Sequence, residues 1–160
     1  LEPGPGVGGH CIAVDPWFLI NEFEATSKLL ITSRKVNESK PKFVLKKLNQ
    51  EVLRFKEQNK REPKIAILGI SFKPDIDDIR ESPSLEIALN AVKKFKSVYV
   101  FDPYQRDNKT IKICNEKDIF RCDLFLFLVN HSYFHNSKYK KIYRTKTSID
   151  FCNFSKHKVE

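Results

Sequence analysis

A cysteine framed by glycines is a candidate nucleophile, and Cys11 is framed in this way. The run Pro3-Gly4-Pro5-Gly6-Val7-Gly8-Gly9-His10-Cys11 holds four glycines and two prolines. Glycine permits positive φ and lets the backbone approach a ligand closely, while proline fixes φ and removes a donor. Such a run makes neither a helix nor a central strand, so it is expected to be a shaped loop. Asp15-Pro16 follows and opens an apolar periodicity, with Asp15 placed to cap a helix and Pro16 at its first turn. The positive end of a helix favours an anion such as a thiolate. The alternative is that Cys11 is a small buried apolar residue beside a tight turn. His10 is open between a substrate contact and a loop-packing role.

A second group of charges stands at Ser71-Phe72-Lys73-Pro74-Asp75-Ile76-Asp77-Asp78-Ile79-Arg80-Glu81-Ser82-Pro83. Lys73 and Arg80 are cations able to hold phosphates. The competing reading is a charged surface loop in which Arg80 pairs with Asp77 or Asp78. Asp102 precedes a proline and reads as a turn former more readily than as a ribose ligand. His131 and His135 are four apart, but no third ligand stands at a useful spacing, so a metal site is not expected.

These residues need elements to place them. Apolar positions Phe18, Leu19, Phe23, Ala25, Leu29, Leu30 and Val36 predict a helix over 16–36. Asn37-Glu38-Ser39-Lys40-Pro41 is expected to break or kink it. Phe43, Val44, Leu45, Leu48, Val52, Leu53 and Phe55 predict a second amphipathic helix, ending in the charged stretch 56–62, a candidate linker. After Pro63 the pattern changes to short β-branched and aromatic runs at 64–70, 97–101, 124–129 and, more weakly, 147–151, each read as a strand. Ser82-Pro83 predicts a helix start, with the helix over 84–95. Asp118 to Phe120 reads as a short helix end, and Tyr133 to Tyr139 as the start of another short helix. Strand–helix alternation predicts an α/β fold with a Rossmann-like parallel sheet, preceded by a helical segment. The expected division is 1–62 and 63–160. Ligands of such sheets bind beyond the carboxyl ends of the strands, which puts the 71–83 loop in view. It follows a lone Gly69, so it is not a glycine-rich dinucleotide fingerprint.

Gly8-Gly9-His10-Cys11-Ile12-Ala13-Val14-Asp15-Pro16-Trp17-Phe18 resembles the catalytic-cysteine loop of the UDP-glucose/GDP-mannose dehydrogenase family. Val14 in place of a lysine, together with His10 and the Asp-Pro-aromatic ending, resembles the branch acting on UDP-N-acetylmannosamine. Arg34-Lys35-Val36-Asn37-Glu38-Ser39-Lys40-Pro41 is similar to the family's long central helix, although Lys40 stands where Met is usual. Phe72-Lys73-Pro74-Asp75-Ile76-Asp77-Asp78-Ile79-Arg80-Glu81-Ser82-Pro83 resembles a second family signature, and Leu128 to Phe134 a late strand and loop. The likeness runs from Pro3 to about Asp150.

The resemblance implies an oxidation of a sugar C6 hydroxyl to a carboxylate with NAD as cofactor, serving cell-surface polysaccharide precursors. Cys11 would be the nucleophile, through a thiohemiacetal and a thioester, and Asp15 would assist water. Gly8, His10, Phe72 and Lys73 would contact the UDP-sugar, and Arg80 the NAD. A homodimer through the central helix is implied as well. Cys152 would stand in place of a basic residue that contacts substrate. The family's amino-terminal NAD-binding domain is not in these 160 residues, so the chain is expected to be a C-terminal portion, inactive alone. A non-catalytic UDP-sugar-binding or dimerisation module is the alternative.

Composition sets the outer bounds. Thirteen Phe residues within 160 supply enough apolar mass for a core. The longest apolar run, Leu124 to Val129, is far short of the roughly 20 residues that span a bilayer, so no membrane partner is expected. No basic region followed by an apolar block marks a signal peptide, and the four cysteines form no CxxC. A reducing cytoplasm with free thiols is the expectation. The net charge of +9 comes from scattered lysines with no arginine block. It reads as solvated surface and not as a nucleic-acid interface, although a basic nucleic-acid binder is the rival of another class.

Overall fold

The computed structural model describes residues 3–106 and 109–156. Helices α1 (Asp15–Glu22) and α2 (Lys28–Asn59) come first. They are followed by β1 (Ile65–Leu68), α3 (Pro83–Lys94), β2 (Val98–Phe101), the short α4 (Glu116–Ile119) and β3 (Leu124–Phe127). A 3-10 turn (Ser132–His135), α5 (Ser137–Thr145), β4 (Thr147–Asp150) and a last 3-10 turn (Phe154–Lys156) complete the chain. The four strands form one parallel sheet in the order β2-β1-β3-β4. The expected α/β fold with a Rossmann-like parallel sheet behind a helical segment is what the chain adopts.

Burial explains the sheet. Every residue of β1 and of β3 is buried, as befits central strands covered on both faces. Ile65, Ile67, Leu124 and Leu126 join one core with Val44, Leu48 and Val52 of α2 and Ile87, Ala88 and Ala91 of α3. Ala66, Leu68, Phe125 and Phe127 face the other layer, with Phe134, Tyr139, Ile142 and Phe154. The alternation along each strand thus divides two cores across a single sheet.

The helical segment corrects the sequence reading at two places. The predicted helix over 16–36 is interrupted earlier, between Glu22 and Lys28. There the Phe23 carbonyl accepts from the N–H groups of Thr26 and Ser27 and from the Thr26 hydroxyl. Helix α2 then runs without a break through Asn37–Pro41 to Asn59, with Pro41 inside it. An interior proline costs a helix about 3 kcal/mol. Pro41, Val44, Leu48 and Val52 are all buried, at three- and four-residue spacing. Burying apolar side chains of this size is worth roughly 1.5–3 kcal/mol each, enough to offset the missing hydrogen bond. The helix stops inside the charged stretch, at Lys60 in the left-handed region with φ 55°. Arg61 then grips Asp123 with two nitrogens at 2.8 Å each, and Asp123 also accepts from the Lys64 N–H. That clasp sets where β1 enters the sheet beside β3.

Candidate active-site cleft

Asp15 does not cap α1 as expected. The cap position is Val14, and the Asp15 N–H donates to the Cys11 carbonyl at 2.8 Å. Val14 N–H reaches the same oxygen at 2.9 Å. Cys11 therefore sits on a tight turn whose carbonyl, not its sulfur, receives the N–H of the first helical residue. Its side chain is exposed, against the buried-residue alternative, and Asp15 beside it is exposed too.

Both ends of the cysteine loop are fastened to α2. Asn37 accepts from the Val7 N–H at 2.8 Å and donates to the Val7 carbonyl at 3.0 Å. One turn earlier, Arg34 donates to the Ile12 carbonyl at 3.5 Å and stands 3.7 Å from Glu38. Its Nε is buried with no hydrogen-bond partner among the described residues. Residues 34 and 37 lie on one face of the helix, so one α2 turn brackets the segment carrying Cys11.

The loop also docks on the segment after β1. The Gly9 N–H donates to the Arg80 carbonyl at 3.2 Å. Gly9 has φ +93°, and a Cβ there would stand 2.9 Å from the Phe72 ring. A Cβ on Gly8 would meet the Glu81 carbonyl oxygen at 2.3 Å. Close approach therefore requires both glycines, and at Gly9 the positive φ requires it as well. Gly8, Gly9 and His10 meet Glu81, Phe72 and Arg80, and Cys11 follows on the same loop. The Gly8-to-Cys11 loop and the 72–80 loop are one structural unit.

Arg80 takes the partner that its surface reading named. Its Nε bonds both Asp78 oxygens at 3.1 and 3.0 Å, and a terminal nitrogen reaches Asp78 at 2.6 Å and His10 Nδ1 at 3.3 Å. The Arg80 side chain holds the Asp78 carboxyl down at about 2. Hydrogen bonding to Asp78 in turn raises the Arg80 pKa, with a lesser attraction from the Cys11 sulfur. Arg80 thus stands within electrostatic reach of the Cys11 sulfur. Lys73, next to Phe72, is exposed.

A cleft of about 310 Å³ opens beyond the carboxyl ends of β1 and β3. These neighbours lead to connections on opposite sides of the sheet order, where doubly wound folds take ligands. Gly4, Gly6, Phe72, Asp75, Ser132 and Cys152 are among its walls. Cys152 is buried, and burial raises its thiol well above the ordinary range. Asp150 shapes this end of the chain by accepting from the N–H groups of Cys152, Phe154 and Ser155.

Among the described residues no glycine-rich phosphate loop follows β1. A Cβ on Gly69, at φ +85°, would lie 2.5 Å from the Val129 Cβ. Its bareness serves packing against the segment after β3 and not a cofactor. The 71–83 loop contains no glycine, and Arg80, the cation available to a cofactor phosphate, is forked onto Asp78. No group of three or more His, Cys, Asp or Glu suited to a metal occurs among the described residues.

Asp102 and His131 are the residues that sequence reasoning missed. Both side chains are fully buried and joined, Nε2 to Oδ2, at 3.2 Å. Asp102 also accepts from the N–H groups of Ile70, Ser71 and Tyr104. It is thus more than the local turn former that Asp102-Pro103 suggested. The signal was positional, since each residue follows the carboxyl end of a parallel strand adjacent to β1.

Comparison with known proteins agrees with this arrangement. The central domain of the UDP-glucose/GDP-mannose dehydrogenase family matches residues 1–39, and its UDP-binding domain matches residues 66–157. The chain is 42% identical over 140 residues to an NDP-N-acetyl-D-galactosaminuronic acid dehydrogenase of Ralstonia solanacearum, covering 84% of this chain and 32% of that protein. It is 40% identical over 144 residues to the UDP-N-acetyl-D-mannosamine dehydrogenase of Escherichia coli K12, covering 84% and 34%. The solved UDP-N-acetyl-mannosamine dehydrogenase of Staphylococcus aureus superposes with TM-score 0.78 at 31% identity, covering 100% of this chain and 38% of that one. The chain spans about a third of the length of these relatives. No described helix is long and apolar enough to cross a membrane.

Proposed function

The chain belongs to the UDP-glucose/GDP-mannose dehydrogenase family, and from that premise we propose that it is the C-terminal portion of an NAD-dependent nucleotide-sugar 6-dehydrogenase. The substrate assigned is UDP-N-acetylmannosamine and the product its uronate, a precursor for cell-surface polysaccharide made in the cytoplasm. The observation that carries this reading is the docking of the cysteine loop on the 72–80 loop through Gly9, Arg80 and Phe72. The loop that carries Cys11 is thereby tied to the loop that carries Phe72 and Lys73, and Phe72 lines the cleft.

In this mechanism the UDP moiety rests beyond β1 and β3, with Phe72 against the nucleotide-sugar and Lys73 opposing its phosphates. Gly8 leaves room for the sugar, and His10, leaning on Arg80, faces it. The C6 alcohol first gives up a hydride and a proton to become an aldehyde, and the Cys11 sulfur attacks that carbonyl carbon. A C–S bond forms, the carbonyl π pair moves to oxygen, and that oxygen takes a proton, giving a thiohemiacetal. After oxidation to the thioester, water adds at C6, with Asp15 accepting its proton, and the C–S bond breaks to release the carboxylate and the Cys11 thiolate. NAD would supply the hydride acceptor for both oxidations in the whole enzyme, and Arg80 would meet it only on release from Asp78.

A homodimer completes the proposal. Leu29, Val36 and Phe43 recur every seven residues along α2 and are 80%, 59% and 46% exposed. Phe18 of α1 is 70% exposed. An apolar stripe of this kind suits a matching helix of a second copy.

Titration calorimetry of the chain with UDP and with UDP-N-acetylmannosamine tests the site. Saturable binding, stronger with the sugar attached, supports it, and absence of heat with either ligand refutes it. Supplying the missing NAD-binding domain then separates an enzyme from a binding module. Cys11→Ala should abolish NAD reduction while ligand binding persists, and undiminished turnover would remove Cys11 from the mechanism.

A further inference from the structure

We propose that His131, held as the neutral Nε2–H tautomer, is the positioning residue that shapes the Phe72–Asp75 loop for the nucleotide-sugar; this rests on the site reading above. Four donors and acceptors fix the tautomer. Nδ1 lies 2.9 Å from the Asp75 N–H, which can only donate, so Nδ1 must accept. Nε2 lies 3.2 Å from Asp102 Oδ2 and 3.3 Å from Ser71 Oγ. The Ser71 hydroxyl spends its hydrogen on the Lys73 carbonyl at 2.9 Å, so its oxygen is free to receive the Nε2–H. A proton on Nδ1 would set two N–H groups against each other. In the Nδ1–H tautomer it would also turn the Nε2 lone pair toward a buried carboxylate.

The network does not form a Ser–His–Asp triad. Serine and aspartate share one ring nitrogen, and Ser71 is fully buried. A triad needs the aspartate on the opposite nitrogen and a serine open to substrate. The geometry serves placement. One branch runs from His131 through Ser71 to the carbonyl of Lys73, and the other runs from Asp75 N–H to Nδ1. Phe72, Lys73 and Pro74 lie between these two anchors. Asp75 is itself in the left-handed region at φ 61°. It is kept there by Ser132, whose N–H and hydroxyl donate to Oδ1 at 2.8 and 3.0 Å, and by the Tyr104 hydroxyl at 3.0 Å. Through one imidazole, the loops after β1, β2 and β3 are tied into a single rim.

Two variants separate positioning from packing. Asn at 131 places its amide oxygen near the Nδ1 position and keeps an acceptor for Asp75, whereas Gln reaches toward Asp102 and leaves the Asp75 N–H without one. Affinity for UDP is measured by calorimetry and stability by thermal melting for the wild-type chain, His131→Asn and His131→Gln. The expected result is UDP affinity weakened about tenfold in His131→Gln, the worth of one hydrogen bond, and near wild type in His131→Asn, with both variants melting lower. Affinity losses that simply follow the melting temperatures would overturn the positioning role. Nitrogen-15 spectra of the wild-type ring offer a test that needs no variant: an Nε2–H signal is expected, and an Nδ1–H or doubly protonated ring would overturn the proposal. A wild-type chain that binds no UDP would instead bring down the site reading itself, and this role with it.

Discussion

Asn37 holds both backbone groups of Val7, its amide oxygen taking the N–H at 2.8 Å and its amide nitrogen giving to the carbonyl at 3.0 Å. The side chain acts as a strand edge would, but from a helix. It fixes the entry of the loop that carries Cys11. Asn37→Ala removes both bonds, at a cost of about 0.5–1.5 kcal/mol each. The variant should lose roughly 1–3 kcal/mol in urea unfolding, and amide exchange at Val7 and Gly9 should rise. Unchanged exchange there would show that the loop is fastened by other means.

Gly9 carries the second attachment. Alanine there meets the Phe72 ring and adopts a φ that side chains disfavour. Strain at such a position costs on the order of 1–3 kcal/mol, and the loop can relieve it by lifting from Phe72. UDP-sugar affinity of Gly9→Ala should fall by about tenfold or more, since an ångström of misplacement in a site is costly. Wild-type affinity would mean that Phe72 and the glycine loop do not form one site.

The thiols should sort by environment. Burial pushes the Cys114 thiol up to about 11 and the Cys122 thiol up to about 12. Cys152 is also raised by burial, while Cys11 is exposed. A raised thiol stays protonated at pH 8 and reacts slowly, because the thiolate is the nucleophile. Brief iodoacetamide treatment should label one cysteine per chain, and peptide mapping should place the label at Cys11. Equal labelling of all four would contradict the burial pattern.

Acid behaviour follows from the carboxylates. Asp78 is lowered to about 2 by Arg80, and Asp102 is lowered by the His131 hydrogen bond despite its desolvation. A carboxylate with a depressed folded-state pKa contributes stability that is present above its unfolded value near 4 and is lost as pH falls through the folded value. Stability should therefore hold down to about pH 4 and drop between about pH 4 and 2. Asp102→Asn should flatten part of that drop while lowering stability at pH 7. A variant with an unaltered acid limb would remove Asp102 from the cause.

The sheet was readable because buried parallel strands are written as short continuous apolar runs, as at Ile65–Leu68 and Leu124–Phe127. Ser82 was equally legible. It caps α3 through the Leu85 N–H and ties that helix to the Ile70 carbonyl. Pro41 was not, because local sequence states the cost of an interior proline but not the burial that offsets it. Asp102 and His131 were hidden for a related reason. Their partnership depends on parallel register, which sets Leu68 beside both Phe101 and Phe127 and brings the following loops together. The cysteine loop and the 72–80 loop were each visible as motifs. Their contact is made by glycines whose missing side chains only coordinates can match to Phe72 and Glu81.

A direct link between the sulfur and the ligand cleft can be measured on the chain as it stands. The rate of Cys11 alkylation is followed with increasing UDP-N-acetylmannosamine, with binding checked by calorimetry in the same buffer. Saturable slowing of Cys11, at the concentration that half-fills the cleft, is expected if the cysteine loop and the 72–80 loop form one site. An alkylation rate unchanged at full occupancy would contradict it.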